Sequence, residues 1–366
     1  MATTARLARF EEKPGLSQKY PATTPHFQAS TRLLLLDEFT PGIIPDKITR
    51  VFSITHIQAV LMKVTINNRN QSFDCNEDEA VLDAALRQGI TMPYGCRSGR
   101  CGNCMGTLVS GDIDYPHGNP PALADEDIAA NKALFCQAHA HSDLVIDVKI
   151  IDTPAGIEPR KMPARVASLE KLAEDVVHLK LKIPAADRLQ FLAGQYVDFI
   201  LKDGRRRAFS LANPPHHDEF LEFQIRHVPG GYFTSIVFDE LKEKALIRIE
   251  GPLGTFYLRE DSDNPIIMMA GGTGMAPLRG MLLHMFETGD TRPVHLFWGA
   301  RAKKDIYLQD EIDQWLRAHP QLKFTPVLSD PAPEDEWQGE TGWVHETVTR
   351  TYPDMSGFEV YMSGPP

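Results

Sequence analysis

The chain has 366 residues, 42% of them hydrophobic, and a net charge of −11; that length exceeds one ordinary core and sets an expectation of two or three domains. The acidity excludes a nucleic-acid binder that needs clustered Lys and Arg, and no run approaches the ~18 apolar residues of a membrane helix. No basic flank and apolar core mark a secretory signal, and five cysteines without a disulfide-like framework point to a reducing compartment, with the cytoplasm as default.

Residues 1–61 carry Pro14, Pro21, Pro25, Pro41 and Pro45 and no sustained periodicity. They read as an extension, non-native or disordered, with translation starting at Met62. Clear signals begin there. Strand-like segments at 63–66 and 72–75 lead to a helix opened by Asn76, with Glu79 three residues on as a capping box. Val81, Leu82, Ala85 and Leu86 form its apolar face, and Gly89 ends it. Cys75, in the second strand, reads as a small buried hydrophobe.

Cys96, Cys101 and Cys104 follow with four and then two residues between them, and Cys136 lies 32 positions later. This is the plant-type spacing for a [2Fe–2S] cluster, whose potential is about −400 mV in plant-type ferredoxins. A four-cysteine zinc site is the alternative, although zinc motifs usually show two matched pairs. Gly95, Gly99 and Gly102 would let the loop curl tightly enough to surround a cluster, with backbone N–H groups pointing at sulfur. Short strands are expected at 106–109, 112–115 and 144–148.

Asp152 to Pro163, with three prolines, reads as a linker. Beyond it, short alternating strands at 165–169, 176–181, 196–200, 208–211, 221–225 and 245–250 fit an antiparallel barrel. Within it, Arg207-Ala208-Phe209-Ser210 puts Arg207 and Phe209 on one face. An arginine fork can clamp a pyrophosphate and an aromatic can cover a flavin ring, though a surface Arg beside a core Phe fits equally. Pro229-Gly230-Gly231-Tyr232-Phe233-Thr234-Ser235 suits a helix start that receives phosphate, or a plain turn. The two motifs in order favour FAD.

From Asp261 the period changes. Strands at 266–270, 294–298, 324–328 and 360–362 alternate with helical stretches, as in a parallel βαβ sheet. Ala270-Gly271-Gly272-Thr273-Gly274-Met275-Ala276-Pro277 joins the first strand to its helix, with Pro277 at the first helical position. Gly299-Ala300-Arg301 and Ser363-Gly364-Pro365 end two other strands, on the side where open α/β sheets bind ligands. Together they indicate a nicotinamide dinucleotide site.

On these motifs the chain, over about 62–366, resembles the ferredoxin–NADP reductase superfamily. It is most similar to members with an N-terminal plant-type ferredoxin: CDP-6-deoxy-Δ3,4-glucoseen reductases and the reductase components of ring-hydroxylating dioxygenases and multicomponent monooxygenases. The resemblance implies a multidomain α+β and α/β chain in which a β-grasp ferredoxin domain (62–152) and a linker (153–163) precede an antiparallel FAD-binding β-barrel (164–259). A parallel-sheet NAD(P)-binding domain (260–366), C-terminally truncated, would complete it. It implies that Cys96, Cys101, Cys104 and Cys136 hold the cluster and that Arg207 binds the FAD pyrophosphate. Phe209 would stand against the flavin, Ser210 near its N5, and His227, Val228, Gly231 and Thr234 around the rest of FAD. Gly272, Thr273 and Gly274 would line the nicotinamide pocket with Gly364 and Pro365. Ser210, Thr273 and Ser363 are thereby the residues nearest hydride transfer. Ser363 replaces a usual Cys, which implies an altered hydride-transfer rate.

The implied activity passes electrons from NADH, or NADPH, through FAD and the cluster to an acceptor protein, a sugar dehydrase or an oxygenase component. Arg301, Lys303 and Lys304 could meet a 2′-phosphate. A non-catalytic redox sensor that kept the fold is the rival of another class.

Overall fold

The computed structural model describes residues 61–365 apart from 68, 70, 152–156 and 186–187. The reading of the first 60 residues as an extension, and the early part of the expected linker, lie outside the described residues. Among the described residues three larger sheets follow one another along the chain, with a two-stranded sheet beside the first.

The first is mixed and five-stranded, in the order β2-β1-β7-β3-β5. It is built from β1 (Leu61–Ile66), β2 (Gln71–Asn76), β3 (Met105–Ser110), β5 (Lys132–Leu134) and β7 (Leu144–Asp147). A side pair joins β4 (Ile113–Asp114) to β6 (His139–Ala140). Met62, Val64 and Ile66 alternate inward from β1 onto the buried side of α1 (Val81–Arg87). The five-residue helix α2 (Asp125–Ala129) precedes β5.

The capping expectation is corrected here. Ala80, not Asn76, is the N-cap of α1, and Asn76 still belongs to β2. Glu79 does take both the Asn76 backbone N–H (2.8 Å) and its side-chain amide (2.6 Å), but in the turn before the helix. The pairing rule found the contact and misplaced the helix by one turn. Cys75 is fully buried, and burial pushes its thiol up to about 11.

The second sheet is antiparallel and six-stranded, in the order β11-β10-β13-β8-β9-β12. Its members are β8 (Arg160–Ala173), β9 (Val176–Lys182), β10 (Tyr196–Ile200), β11 (Arg206–Ser210), β12 (Phe220–Arg226) and β13 (Leu246–Leu253). Its core centres on Phe199, which makes edge contacts with Phe223 (5.1 Å between centroids) and Phe209 (5.3 Å). The expected linker overlaps this sheet, because β8 starts at Arg160. Pro163 is tolerated since it faces Arg248 of β13 on one side, while β9 joins β8 only from Arg165.

The third sheet is wholly parallel, in the order β17-β16-β15-β14-β18. It comprises β14 (Ile266–Gly271), β15 (Val294–Ala300), β16 (Leu322–Leu328), β17 (Glu340–Thr341) and β18 (Glu359–Ser363). The uninterrupted apolar run of β14 reflects burial on both faces. Ile266, Met268 and Ala270 meet α4 (Met275–Thr288) and α5 (Gln309–Ala318), while Ile267 and Met269 meet α6 (Val344–Thr351).

A charged knot fastens the second sheet to these helices. Arg279 of α4 reaches Glu311 of α5 (2.8 Å), Glu222 of β12 (3.1 Å) and the carbonyl of Ala212 (2.7 Å). Glu222 also meets His178 at 3.1 Å and Lys180 at 3.2 Å. Burial alone would raise the Glu222 carboxyl; the His178 hydrogen bond and the Arg279 charge outweigh it and hold the group at about 2. Arg279→Met leaves Glu222 with only His178 and Lys180 and is expected to cost about 1–3 kcal/mol, read as a drop in the urea midpoint at pH 7. A depressed carboxylate stabilises above its unfolded value of 4.5, so the advantage of the natural residue should shrink as pH falls from there toward 2.

Candidate functional site

The cysteine loop leaves the first sheet after Tyr94. Gly99 and Gly102 hold φ of +70° and +74°, as the curl requires, and a Cβ on Gly99 would also strike Pro120 at 2.6 Å. Gly95 is not in that conformation; there a side chain would crowd Asn103 at 3.0 Å. Backbone N–H groups of Ser98 (3.5 Å) and Arg100 (3.4 Å) point at Cys96 Sγ, and that of Cys96 at Cys101 Sγ (3.4 Å).

The thiols fall into two pairs, Cys96 with Cys101 and Cys104 with Cys136, each within hydrogen-bonding reach. The hydrogen bond from Cys101, then those from Ser98 and Arg100, hold the Cys96 thiol well below its ordinary value despite burial. Cys104 likewise lowers Cys136. A single zinc ion needs its ligand atoms gathered tightly around one centre. Among the described residues, the group of three or more ligand atoms within 4.8 Å is on the protein's other side chains, His216, His217 and Glu287, not on the cysteines. Two thiol pairs with amide donors around them fit a binuclear iron–sulfur centre.

This loop is bonded to the second sheet at Tyr196 and to Thr255, two residues beyond β13. Tyr94 N–H donates to Thr255 Oγ1 (3.0 Å), while the Tyr94 carbonyl accepts from the Thr255 hydroxyl (3.0 Å) and N–H (3.2 Å). Tyr196 of β10 donates its hydroxyl to Gly95 O at 2.8 Å, and burial raises its pKa strongly. A cavity of about 530 Å³ lies between, lined by Cys96, Arg97, Cys136, Tyr196, Asp198 and Arg206, among others. Sequence reasoning missed Tyr196 and Thr255, which carried no motif.

On edge strand β11, Arg205 just before it is held by Asp203, and Arg206 by Asp198 and Glu250. Arg207 is exposed and, among the described residues, has no carboxylate partner; its Nη1 donates to the Arg206 carbonyl. That leaves its charge available to an anion. The Phe209 ring packs on Phe199 and Phe233 (both 5.3 Å) and is half-buried, and Ser210 is half-buried at the strand end.

The loop after β12 differs from expectation. Its helix α3 (Tyr232–Ser235) is a single turn, followed by a wider turn over Ile236–Glu240. The Thr234 hydroxyl is used inside the loop, accepting from Val228 N–H (3.1 Å) with the Gly231 carbonyl also at 3.2 Å. Val228 and Tyr232 remain exposed, and His227 rests 5.0 Å from Phe238. An exposed guanidinium, a half-buried aromatic and a closed glycine loop at the sheet edge fit a flavin dinucleotide.

At the third sheet, Gly272, Thr273 and Gly274 form a 3₁₀ turn into α4. Pro277 is therefore the third helical residue rather than the first, still within the turn whose N–H groups lack helical partners. A Cβ on Gly274 would lie 2.0 Å from Ser363 O, and Gly364 packs on the Gly271 backbone. Pro365 lies against Gly271, and Trp298 Nε1 donates to Gly272 O at 2.9 Å. The glycine turn, the end of β15 and Ser363–Pro365 thus share one rim. Arg226 joins the second sheet to it, its Nη1 2.9 Å from where a Gly272 side chain would begin. Arg301, directly after β15, is paired with Asp305 and Asp175 (both 3.2 Å), and Lys304 lies 3.7 Å from Glu174.

Three family models match in the same order: a 2Fe-2S iron-sulfur cluster binding domain over 64–141, an oxidoreductase FAD-binding domain over 163–257 and an oxidoreductase NAD-binding domain over 268–366. The chain is 39% identical over 292 residues to the CDP-6-deoxy-L-threo-D-glycero-4-hexulose-3-dehydrase reductase of Yersinia pestis, covering 80% of this chain and 87% of the relative. It is 35% identical to the phenol hydroxylase P5 protein of Acinetobacter pittii, covering 83% and 87%. Among solved structures it is similar to the Amycolatopsis cytochrome P450 reductase GcoB, with a TM-score of 0.66 and 31% identity over 82% of this chain and 90% of that one.

Thr255→Val keeps the shape and removes the acceptor for Tyr94 N–H. It should cost about 1–3 kcal/mol, seen as earlier loss of the cluster's visible absorbance on urea titration, with flavin absorbance lost at the unchanged midpoint.

Proposed function

Because the chain belongs to the NAD(P)H-dependent flavin and iron–sulfur reductases with an N-terminal ferredoxin domain, we propose that its own residues divide the work as follows. The activity itself is that of the family: electrons pass from NAD(P)H through FAD to a [2Fe–2S] cluster. Cys96, Cys101, Cys104 and Cys136 hold the cluster as thiolates. Arg207 neutralises the FAD pyrophosphate, with Val228, Gly231 and Thr234 shaping the loop beside it and His227 supporting that loop. Phe209 and Ser210 face the isoalloxazine, which when bound turns electron pairs into single electrons. Gly272, Thr273, Gly274, Gly364 and Pro365 receive the nicotinamide, and Ser363 stands beside it. Hydride transfer then rests on proximity and orientation, with no acid–base residue needed.

The first sheet with α1 is read as a β-grasp and the second as a barrel, with domains at 62–152, 164–259 and 260–366. NADH is favoured over NADPH, since Arg301 and Lys304 already face Asp175, Asp305 and Glu174. A 2′-phosphate would have to displace those carboxylates. The acceptor is a sugar dehydrase like the one named for the Yersinia relative, and the cytoplasm is the proposed compartment. An oxygenase component is the second reading, favoured by the likeness to phenol hydroxylase P5 protein. Electron delivery to each purified acceptor under NADH separates the two.

The direct bonding of the cysteine loop to the second sheet carries the relay reading. Cys101→Ser should abolish NADH–cytochrome c reduction while NADH–ferricyanide activity persists. Equal loss of both would end this division of labour.

A further inference from the structure

The loop between β11 and β12 carries two adjacent histidines that the electron path does not use. His216 Nε2 sits against Glu287 Oε2, and His217 Nε2 lies 2.8 Å from Glu287 Oε1. Glu287 occupies the last turn of α4. The three residues each offer one ligand atom, and these atoms lie within 4.8 Å of one another.

The loop is fixed before any ligand arrives. Asn213, only 2% exposed, donates through Nδ2 to the carbonyls of His217 (2.9 Å), Phe220 (3.0 Å) and Pro214 (3.3 Å), and accepts from Glu222 N–H (2.9 Å). One buried amide thus sets the turn that presents both imidazoles. Gly280 of α4 lies directly beneath: a Cβ there would come within 3.0 Å of Asn213 O. Loop and helix are therefore held at close approach, and Glu287 meets the histidines without any backbone movement. His284, one turn earlier on α4, stacks on His216 (5.3 Å, 28°) and is itself oriented by Glu260 at 2.8 Å. A neutral imidazole is the form that offers a lone pair.

We propose that His216, His217 and Glu287 bind a divalent transition ion of the zinc type, tying the flavin-side loop to the helix that follows the glycine turn. Imidazole donors favour zinc over magnesium or calcium. Zinc to nitrogen distances of about 2.0–2.1 Å require the ligand atoms to spread slightly from their present contacts, which these surface side chains can do by rotation. Water would complete the coordination. The same three groups without metal form a hydrogen-bonded trio, and a binding measurement distinguishes the two.

The test uses the full chain carrying flavin and cluster, stripped with a mild chelator and dialysed against zinc chloride, with zinc, iron and flavin counted in each sample. The expected result is one retained zinc per chain, lost in both His217→Ala and Glu287→Gln while iron and flavin stay constant. Zinc should raise the thermal midpoint of the natural protein and leave that of either variant unmoved. The proposal is overturned if the natural protein retains no zinc. Equal retention by the variants, or zinc gained only as iron is lost from the cysteines, overturns it as well.

Discussion

The exchange of hydrogen bonds between Tyr94 and Thr255 decides what the rest of the molecule can do. An electron carrier is useful only at a fixed separation from its donor, and here the first residues of the cysteine loop are bonded to Thr255, two residues beyond the end of β13 in the flavin-side sheet. Tyr196 repeats the attachment one residue later through Gly95. The Tyr94–Thr255 bonds are buried and the Tyr196 bond partly so, and they cost more when broken than the same bonds in water. The apolar core of the first sheet runs on into Tyr196 and Leu253 of the second, so the two parts share a core as well as hydrogen bonds.

The other junction uses charge. Arg279 collects Glu222, Glu311 and the Ala212 carbonyl, and each partner comes from a different element. Such a knot adds less stability than apolar packing of equal volume would, but it tolerates only one arrangement of its members. Arg226 and Arg301 both turn to Asp175 on the hairpin of the second sheet, which adds a second, more exposed tie near the glycine turn. The parts meant to hold nicotinamide and flavin are therefore registered by directional contacts.

Much of this was legible in the chain. The cysteine spacing, the period-two strands between 165 and 250 and the apolar run of β14 each reflect a local physical demand, and each element lies where its pattern put it to within a few residues. What was not legible depended on distant partners. Asn76 and Glu79 do bond, yet the helix begins later because β2 holds Asn76 in its ladder with Leu61. Pro163 looked like a linker residue because nothing local reveals that only one neighbour pairs there. Tyr196 and Thr255 are ordinary residues whose importance comes wholly from what lies across the junction. Of the candidate site residues, Arg301 was read from its position at a strand end, and its ion pairs with Asp175 and Asp305 were not legible there.

The contact between Gly274 and position 363 runs through the carbonyl of the serine, not through its side chain. Mechanical support and chemical identity are thereby uncoupled at that spot. The backbone must stay where it is for the turn to close, whereas the serine hydroxyl is not among the atoms nearest to that glycine. A change of side chain at position 363 that spares this carbonyl would therefore leave the closure of the rim intact.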